Sequence, residues 1–434
     1  MKERIYSDQL HKFYNKEVFV QGHIYQKRVL GKIIFLILRD SHGLIQCIVE
    51  DEEEKEKIKS IMDESPIEIE GVCKEEKRAP GKCEIHTPKI KILSKVINPL
   101  PIEINKPVIN ANLDTILDHR AISLRNLKLR SIFKIQSTMA QAYREYMTSI
   151  GATEIFIPTI VGSATEGGSE LFQIKYYDRS AYLGQSAQLY KQMAIGSFEK
   201  VFSIAHSYRA EKFGTSRHTS EFIQYDFEMG FIKSYQDIIN TGINVIKYIS
   251  QYTSKINKED IDSLEVSLPT LPEKIPQIKL KEAQELVFKE TGLDERSEND
   301  LSPEGERQIS KIIKEKYNSD LVVVTHYPTS KRPFYTMPDK DNPEDTLSFD
   351  FILRGEEITT GSQRINGYDM LVAAIYKKGL KIEDYEDYLE IFKYGMPPEG
   401  GFGMGFERLT QQFLNLSNIR EATLFPRDVK RLRP

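Results

Sequence analysis

The stretch YRAEKFGTSRHTSEF, Tyr208 to Phe222, decides how the second half of the chain is read. It lies between KVFSIAHS and IQYDFEMGFI, two segments with the β-branched and aromatic make-up of strands. The bend between them carries Arg209, Glu211, Lys212, Arg217, His218 and Glu221. Arginine forks pair with phosphate oxygens, so Arg209 and Arg217, with His218, are candidates for holding a ligand laid across the sheet. Glu211 follows Arg209 by two residues, on the same face of an extended chain, where it can accept a base amino group or fix a cation. Taken alone, the stretch has an ordinary alternative: a solvated hairpin tip whose surface ion pairs are worth ~0–1 kcal/mol each.

Toward the C-terminus, GFGMGFERL (Gly401–Leu409) sets glycines at a strand end and Arg408 at a helix start. Such glycines let a backbone approach a flat ligand, on which an arginine can stack; a glycine-rich packing corner is the alternative. FDFILRGEEITTGSQR (Phe349–Arg364) carries Asp350 and Glu357, which point to opposite faces of a continuous strand. A bulge at Gly355 would realign them. Paired carboxylates suit Mg²⁺, and a cross-strand charge ladder is the other reading. Upstream, ATEGGSELF holds Glu166 in a glycine-hinged loop, and GQSAQLYKQ sets Gln188 and Lys191 three apart at a helix start. The usual fate of such a lysine is to snorkel at the surface.

The N-terminal residues 1–97 read as all-β: five short strand-like runs with one charged helix, DEEEKEKIKSIMDES, among them. This order fits a small OB-type Greek-key barrel, with a sandwich as the alternative. Pro99, Pro101 and Pro107 mark residues 98–130 as a stiff linker. Ile132, Ile135, Met139, Tyr143 and Met147 then recur at helical spacing, and Gly151 ends that helix. The remainder, 131–434, is expected to be α+β, its mostly antiparallel sheet flanked by helices, with residues 235–335 as a helix-rich insertion.

A net charge of −4 gives no global field for nucleic acid, which leaves that task to a local basic patch. Cys47, Cys73 and Cys83 form no C-x-x-C pair and suggest a reducing, cytoplasmic setting. No apolar run approaches the ~18–20 residues of a membrane span.

Together these segments resemble the three signature motifs of class II aminoacyl-tRNA synthetases. Motif 1 is matched by the helix from Ser131 through EIFIPTIV with Pro158, motif 2 by YRAEKFGTSRHTSEF and motif 3 by GFGMGFERL. The barrel, with TEGGSELF, QSAQLYKQ and LFPRD, resembles the aspartyl/asparaginyl branch in its compact archaeal form. The resemblance implies ATP and Mg²⁺. Arg209 would hold the α-phosphate, Glu211 the adenine amino group, Arg217 and His218 the distal phosphates, and Arg408 the adenine and γ-phosphate. Glu357 and Thr360 would hold Mg²⁺ with Asp350 nearby, and Arg209, Arg408 and Glu357 would carry catalysis.

It also implies an L-aspartate pocket of Glu166, Gln188, Lys191, Asp226, Thr360 and Arg364. A buried side-chain carboxylate calls for cations, and asparaginyl enzymes usually have an apolar residue at the position of Lys191. In the barrel, Phe35 and Gln46 match residues that stack on and bond the central anticodon uridine. Arg28, with Lys27 and Lys32, would form the basic patch, and Pro80 would face the third anticodon base. The expectation is therefore a homodimeric aspartate–tRNA ligase acting on tRNA-Asp, with tRNA-Asn held open as a second acceptor. An asparagine–tRNA ligase is the alternative that Lys191 argues against. The barrel argues against a tRNA-independent asparagine-forming ligase. Arg209, Glu357 and Arg408 argue against a non-catalytic RNA-binding relative.

Overall fold

The computed structural model describes residues 2–163, 170–212 and 214–433. They form two compact units, Met1–Leu129 and Arg130–Pro434.

The first unit is built on five strands: β1 (Glu17–Leu30), β2 (Ile33–Arg39), β3 (Leu44–Val49), β4 (Pro66–Glu75) and β5 (Cys83–Ile92). They close in the order β1-β2-β3-β5-β4, which settles barrel against sandwich. Period-2 alternation sends Ile67, Ile69 and Cys73 of β4 inward, and they are fully buried with Val20, Leu36 and Ile85. The charged helix α1 (Glu52–Lys59) lies between β3 and β4 and is capped by Asp51. The residues after the barrel are tied to this unit. Asn105 donates to the Tyr25 carbonyl, and Arg39 and Arg125 both donate to the fully buried Glu64.

In the second unit, helix α2 (Leu127–Ser149) buries all five residues of its apolar stripe. The sheet contains β6 (Thr153–Glu154), β7 (Lys200–Tyr208), β8 (Glu221–Gly230), β9 (Gln277–Lys279), β10 (Leu321–Thr325), β11 (Ser348–Leu353), β12 (Glu356–Gln363) and β13 (Glu399–Gly405). Their order is β9-β10-β11-β12-β13-β8-β7-β6. The two outermost pairings are parallel and all the others antiparallel. Residues 235–335 contain helices Tyr235–Ile256, Lys258–Leu264, Leu280–Thr291 and Pro303–Tyr317, and also supply β9 and β10 to the sheet edge. No described helix is long and apolar enough to cross a membrane.

FDFILRGEEITTGSQR is not one strand but the β11–β12 hairpin. Arg354 and Gly355 both have positive φ, 50° and 86°, as a two-residue hairpin turn requires. The irregularity lies within β12 rather than at Gly355: Phe351 pairs with Thr359 and Ile352 with Glu357, which leaves Ile358 as the extra residue. Three positions apart on a regular strand, Glu357 and Thr360 would face opposite sides. The bulge brings them to one side, where Thr360 Oγ1 donates to Glu357 Oε1 at 2.7 Å.

Candidate functional site

A cavity of about 370 Å³ opens on the sheet of the second unit. Its floor follows from a row of cross-strand neighbours, Thr360–Gly403–Asp226. Gly403 has no side chain, so the row is open at its centre; a Cβ there would stand 3.4 Å from Asp226 Oδ1. Gly401 serves packing instead, since a Cβ there would run into the Phe227 carbonyl and the Glu228 carboxylate. Gly401 thus follows the packing-corner reading, and Gly403 leaves open space on the cavity floor.

Arg209 and Glu211 line one end of the cavity, from the chain just beyond β7 rather than from the strand itself. The Arg209 guanidinium sits 5.3 Å from the Phe222 ring centre and forms no ion pair among the described residues. Burial raises the Glu211 carboxyl, as does nearby Glu170, against the pull of Arg209 and Arg408. Arg408 heads the helix Phe406–Phe413, and its Nη1 donates to the Glu357 carbonyl at 3.0 Å. Glu357 is half-buried. Burial works to raise its carboxyl, but Arg408 and the Thr360 hydroxyl outweigh it, so the group sits below its ordinary value.

Arg217 also lines the cavity, with both ends of its fork engaged. One reaches Glu306, from helix Pro303–Tyr317, and Nε lies 3.2 Å from the buried Glu356. Burial raises Glu306 to about 7 against the opposing pull of Arg217. His218 lines the same end, and burial, then Arg408, Arg217 and Arg209, lowers its imidazole to about 4. It is therefore uncharged near neutrality and can offer an N–H donor there, but no charge.

At the other end, the helix Gln188–Phe198 presents Gln188 and Lys191. Lys191 does not snorkel: it is 2% exposed. Its Nζ lies 3.0 Å from Asp226 Oδ1, 3.3 Å from Glu228 Oε2 and 2.9 Å from the Phe402 carbonyl. Arg364 is buried beside it, donating to Glu228, Ser362, Gln188 and the Gly401 carbonyl. Glu166 lies outside the described residues.

Asp350 does not line the cavity. It is buried next to Thr360, its partner across β11–β12, with Oδ2 held by Arg332 at 2.7 Å and Oδ1 without a hydrogen-bond partner among the described residues. Burial lifts its carboxyl to about 6, with Arg332 opposing. No three acidic, His or Cys side chains converge as a ready-made metal cage among the described residues. Mg²⁺ keeps several waters and substrate oxygens and needs only one or two carboxylates. Glu357, facing the cavity, and the unpartnered oxygen of Asp350 behind it fit that requirement.

Sequence reasoning missed Glu228, Glu306, Glu356, Lys331 and Tyr335. Glu228 follows Asp226 by two in β8, so strand periodicity places it on the same face. Lys331 and Tyr335 line the cavity from a loop without motif character, and no local signal points to them.

On the barrel, Arg28 pairs directly with Phe35 across β1–β2. Gln46 is the diagonal neighbour of Phe35 across β2–β3, so all three share one outer face. Lys27 points the other way, its Nζ on the Ile61 carbonyl at 2.5 Å, and does not belong to the patch. Pro80 begins a turn that leads into β5, where Glu84 accepts from Gln46 Nε2 at 3.0 Å.

An arginine-ringed floor next to a buried two-cation pocket is the make-up of a site that brings a nucleotide polyanion against a small zwitterion. The family model described as tRNA synthetases class II (D, K and N) matches residues 112–429, and that of the OB-fold nucleic acid binding domain matches 18–93. The chain is 40% identical over 419 residues to an aspartate–tRNA(Asp/Asn) ligase of Thermus thermophilus, covering 96% of this chain and 97% of that one. It is 39% identical to an aspartate–tRNA(Asp) ligase of Pyrococcus abyssi, with 96% of each covered. A solved structure, asparaginyl-tRNA synthetase of Pyrococcus horikoshii complexed with asparaginyl-adenylate, superposes with a TM-score of 0.94 at 36% identity over the full length of both chains. The chain belongs to the class II tRNA synthetases of the D, K and N group.

Proposed function

We infer that this enzyme is an aspartate–tRNA ligase, which activates L-aspartate with ATP and transfers it to tRNA. The observation that carries the choice of amino acid is the buried Lys191 beside Arg364. Two cations, shared with Asp226 and Glu228, offer a side-chain carboxylate charged donors that a neutral amide uses less well. The curated relatives named as aspartate ligases support the same choice. ATP–pyrophosphate exchange tests it: exchange is expected with aspartate and not with asparagine, and the reverse pattern would overturn the reading.

In this reading no side chain acts as nucleophile; the α-carboxylate of the substrate attacks the α-phosphate. Arg209, free of ion pairs among the described residues, faces the charge that develops there. Glu211 accepts from the adenine amino group, and Arg408 packs over the ring. Arg217 exchanges Glu306 for a distal phosphate, and His218 donates beside it. Gln188, Asp226 and Thr360 line the amino-acid end, and Glu166 is assigned there by resemblance alone. Glu357, with Thr360 and Asp350 behind it, would hold Mg²⁺, which neutralises phosphate charge when bound. A homodimer through motif 1 is part of the proposal: Phe156, in EIFIPTIV, is 89% exposed, an apolar side chain that a second copy would cover. So is a cytoplasmic setting, in which the three buried cysteines stay thiols.

Phe35, Gln46 and Arg28 read the anticodon in this proposal, and Pro80 faces its third base. Proline has no N–H and a fixed φ, so it offers that base no backbone donor. Discrimination there would need a contact worth ~1–3 kcal/mol. Transcripts that differ only as G-U-C and G-U-U are therefore expected to be charged with aspartate at comparable rates. A preference of about a hundredfold for G-U-C would show a strict tRNA-Asp enzyme.

A further inference from the structure

Behind the amino-acid corner lies a second layer of polar side chains that the proposed mechanism does not use. Glu399, the first residue of β13, is fully buried. Its Oε1 accepts one bond, from Gln192 Nε2 at 3.0 Å, and its Oε2 has no hydrogen-bond partner among the described residues. The two cations nearby are already engaged, Lys191 by Asp226 and Glu228, and Arg364 by Glu228. Neither forms an ion pair with Glu399 among the described residues. A buried carboxylate with a single neutral donor and no cation takes up a proton rather than remain charged.

Groups from several elements face Glu399. Glu228 comes from β8, Lys191 and Gln192 from the helix Gln188–Phe198, Arg364 from beyond β12, and Tyr388 from the helix Glu386–Lys393, with Tyr335 beside them. Burial and then Glu228 push the acid well above its ordinary value, against Gln192, Arg364 and Lys191. The contact to Gln192 is also relayed. Gln192 Oε1 accepts from Gln188 Nε2 at 2.8 Å and from Tyr388 Oη at 3.2 Å, which turns its amide nitrogen toward Glu399. Gln188 Oε1 in turn accepts from Arg364 Nη2 at 3.2 Å, at the cavity wall.

We propose that Glu399 is a positioning residue that sets the preference for an aspartate side chain over asparagine, and that it acts as an uncharged carboxylic acid. The proposal rests on the aspartate reading. Lys191 and Arg364 bring two positive charges to the pocket and Asp226 and Glu228 two negative ones. An ionised Glu399 would tip that balance negative and repel an incoming carboxylate, while an amide would be indifferent to it. The uncharged acid keeps the balance, and its carbonyl oxygen still anchors Gln192.

Two substitutions and one spectrum test this. Glu399→Leu removes the anchor: the aspartate KM is expected to rise about tenfold or more, with kcat and the ATP KM unchanged within about threefold. Glu399→Gln keeps the shape and the anchor without the ability to ionise, and is expected to restore the aspartate KM to within about threefold of wild type. The infrared difference between wild type and Glu399→Gln at neutral pH is expected to contain the C=O stretch of an un-ionised carboxylic acid. A carboxylate-ion band in its place, a Gln variant as impaired as the Leu variant, or a Leu variant equal to wild type would each overturn the proposal. Should Glu399→Leu not fold, the spectrum and the Gln variant still decide. The infrared band reads Glu399 whichever amino acid is the substrate, whereas wild-type exchange with aspartate and asparagine tests the underlying reading by itself.

Discussion

Arg209→Ala is expected to lower the rate constant of aspartate-dependent pyrophosphate exchange on the order of 10²–10³-fold, the usual loss on removing one donor aimed at developing charge. The guanidinium lines the cavity and is not neutralised by an ion pair among the described residues, so its charge is available to a phosphate. Phe222 supports it from one side at 5.3 Å. The contact strengthens as the attacking carboxylate loads charge onto the α-phosphate, so the loss belongs in kcat more than in KM. Steady-state exchange at varied aspartate and ATP separates the two. An effect confined to the aspartate KM would remove Arg209 from the α-phosphate.

Lys191→Leu is expected to act twice. Aspartate activation should fall on the order of 10- to 100-fold, the worth of one charge-assisted bond to the substrate carboxylate, ~1.5–3 kcal/mol. The fold should also lose about 3–5 kcal/mol, because the ammonium that Asp226 and Glu228 share is taken away while both carboxylates remain buried. Denaturant unfolding reads the second effect and exchange the first. A variant as stable as wild type and nearly as active would show that Lys191 is not a working part of the pocket. Methionine at 191 should behave as leucine does, since both fill the space without the charge.

The parts of the site that were legible in the sequence lie in contiguous runs where chemistry and local geometry coincide. Arg209, Glu211, Arg217 and His218 sit in one bend, and Gly403 and Arg408 at one strand-to-helix junction; all of them reach the same cavity. The helical stripe of α2 and the alternation of the barrel strands were legible because periodicity alone decides which side is covered. Lys191 was legible only through the family resemblance, since a three-residue spacing names a helix face without saying what packs on it. How Asp350 and Glu357 face each other was not legible because Arg354–Gly355 was read as strand, although a glycine that completes a two-residue positive-φ turn is a hairpin signal. Tyr335 reaches the cavity, and Glu306 reaches its Arg217, from segments more than eighty residues downstream of the motif-2 bend, and only the folded chain brings them there.

The extra residue in β12 makes the β11–β12 hairpin unequal in what changes it can absorb. Replacing Ile358 with another apolar side chain leaves the pairing of Phe351 with Thr359 and Ile352 with Glu357 as it is. Deleting it restores a regular ladder in which Glu357 and Thr360 stand two apart and keep to one side. Adding or removing one residue between Thr360 and Arg364 would instead turn Glu357 and Arg364 to opposite sides, with hardly any change in composition, hydrophobicity or chain length. The hairpin is therefore expected to drift at position 358, by substitution or loss, while a single-residue insertion or deletion between Thr360 and Arg364 is expected to be purged.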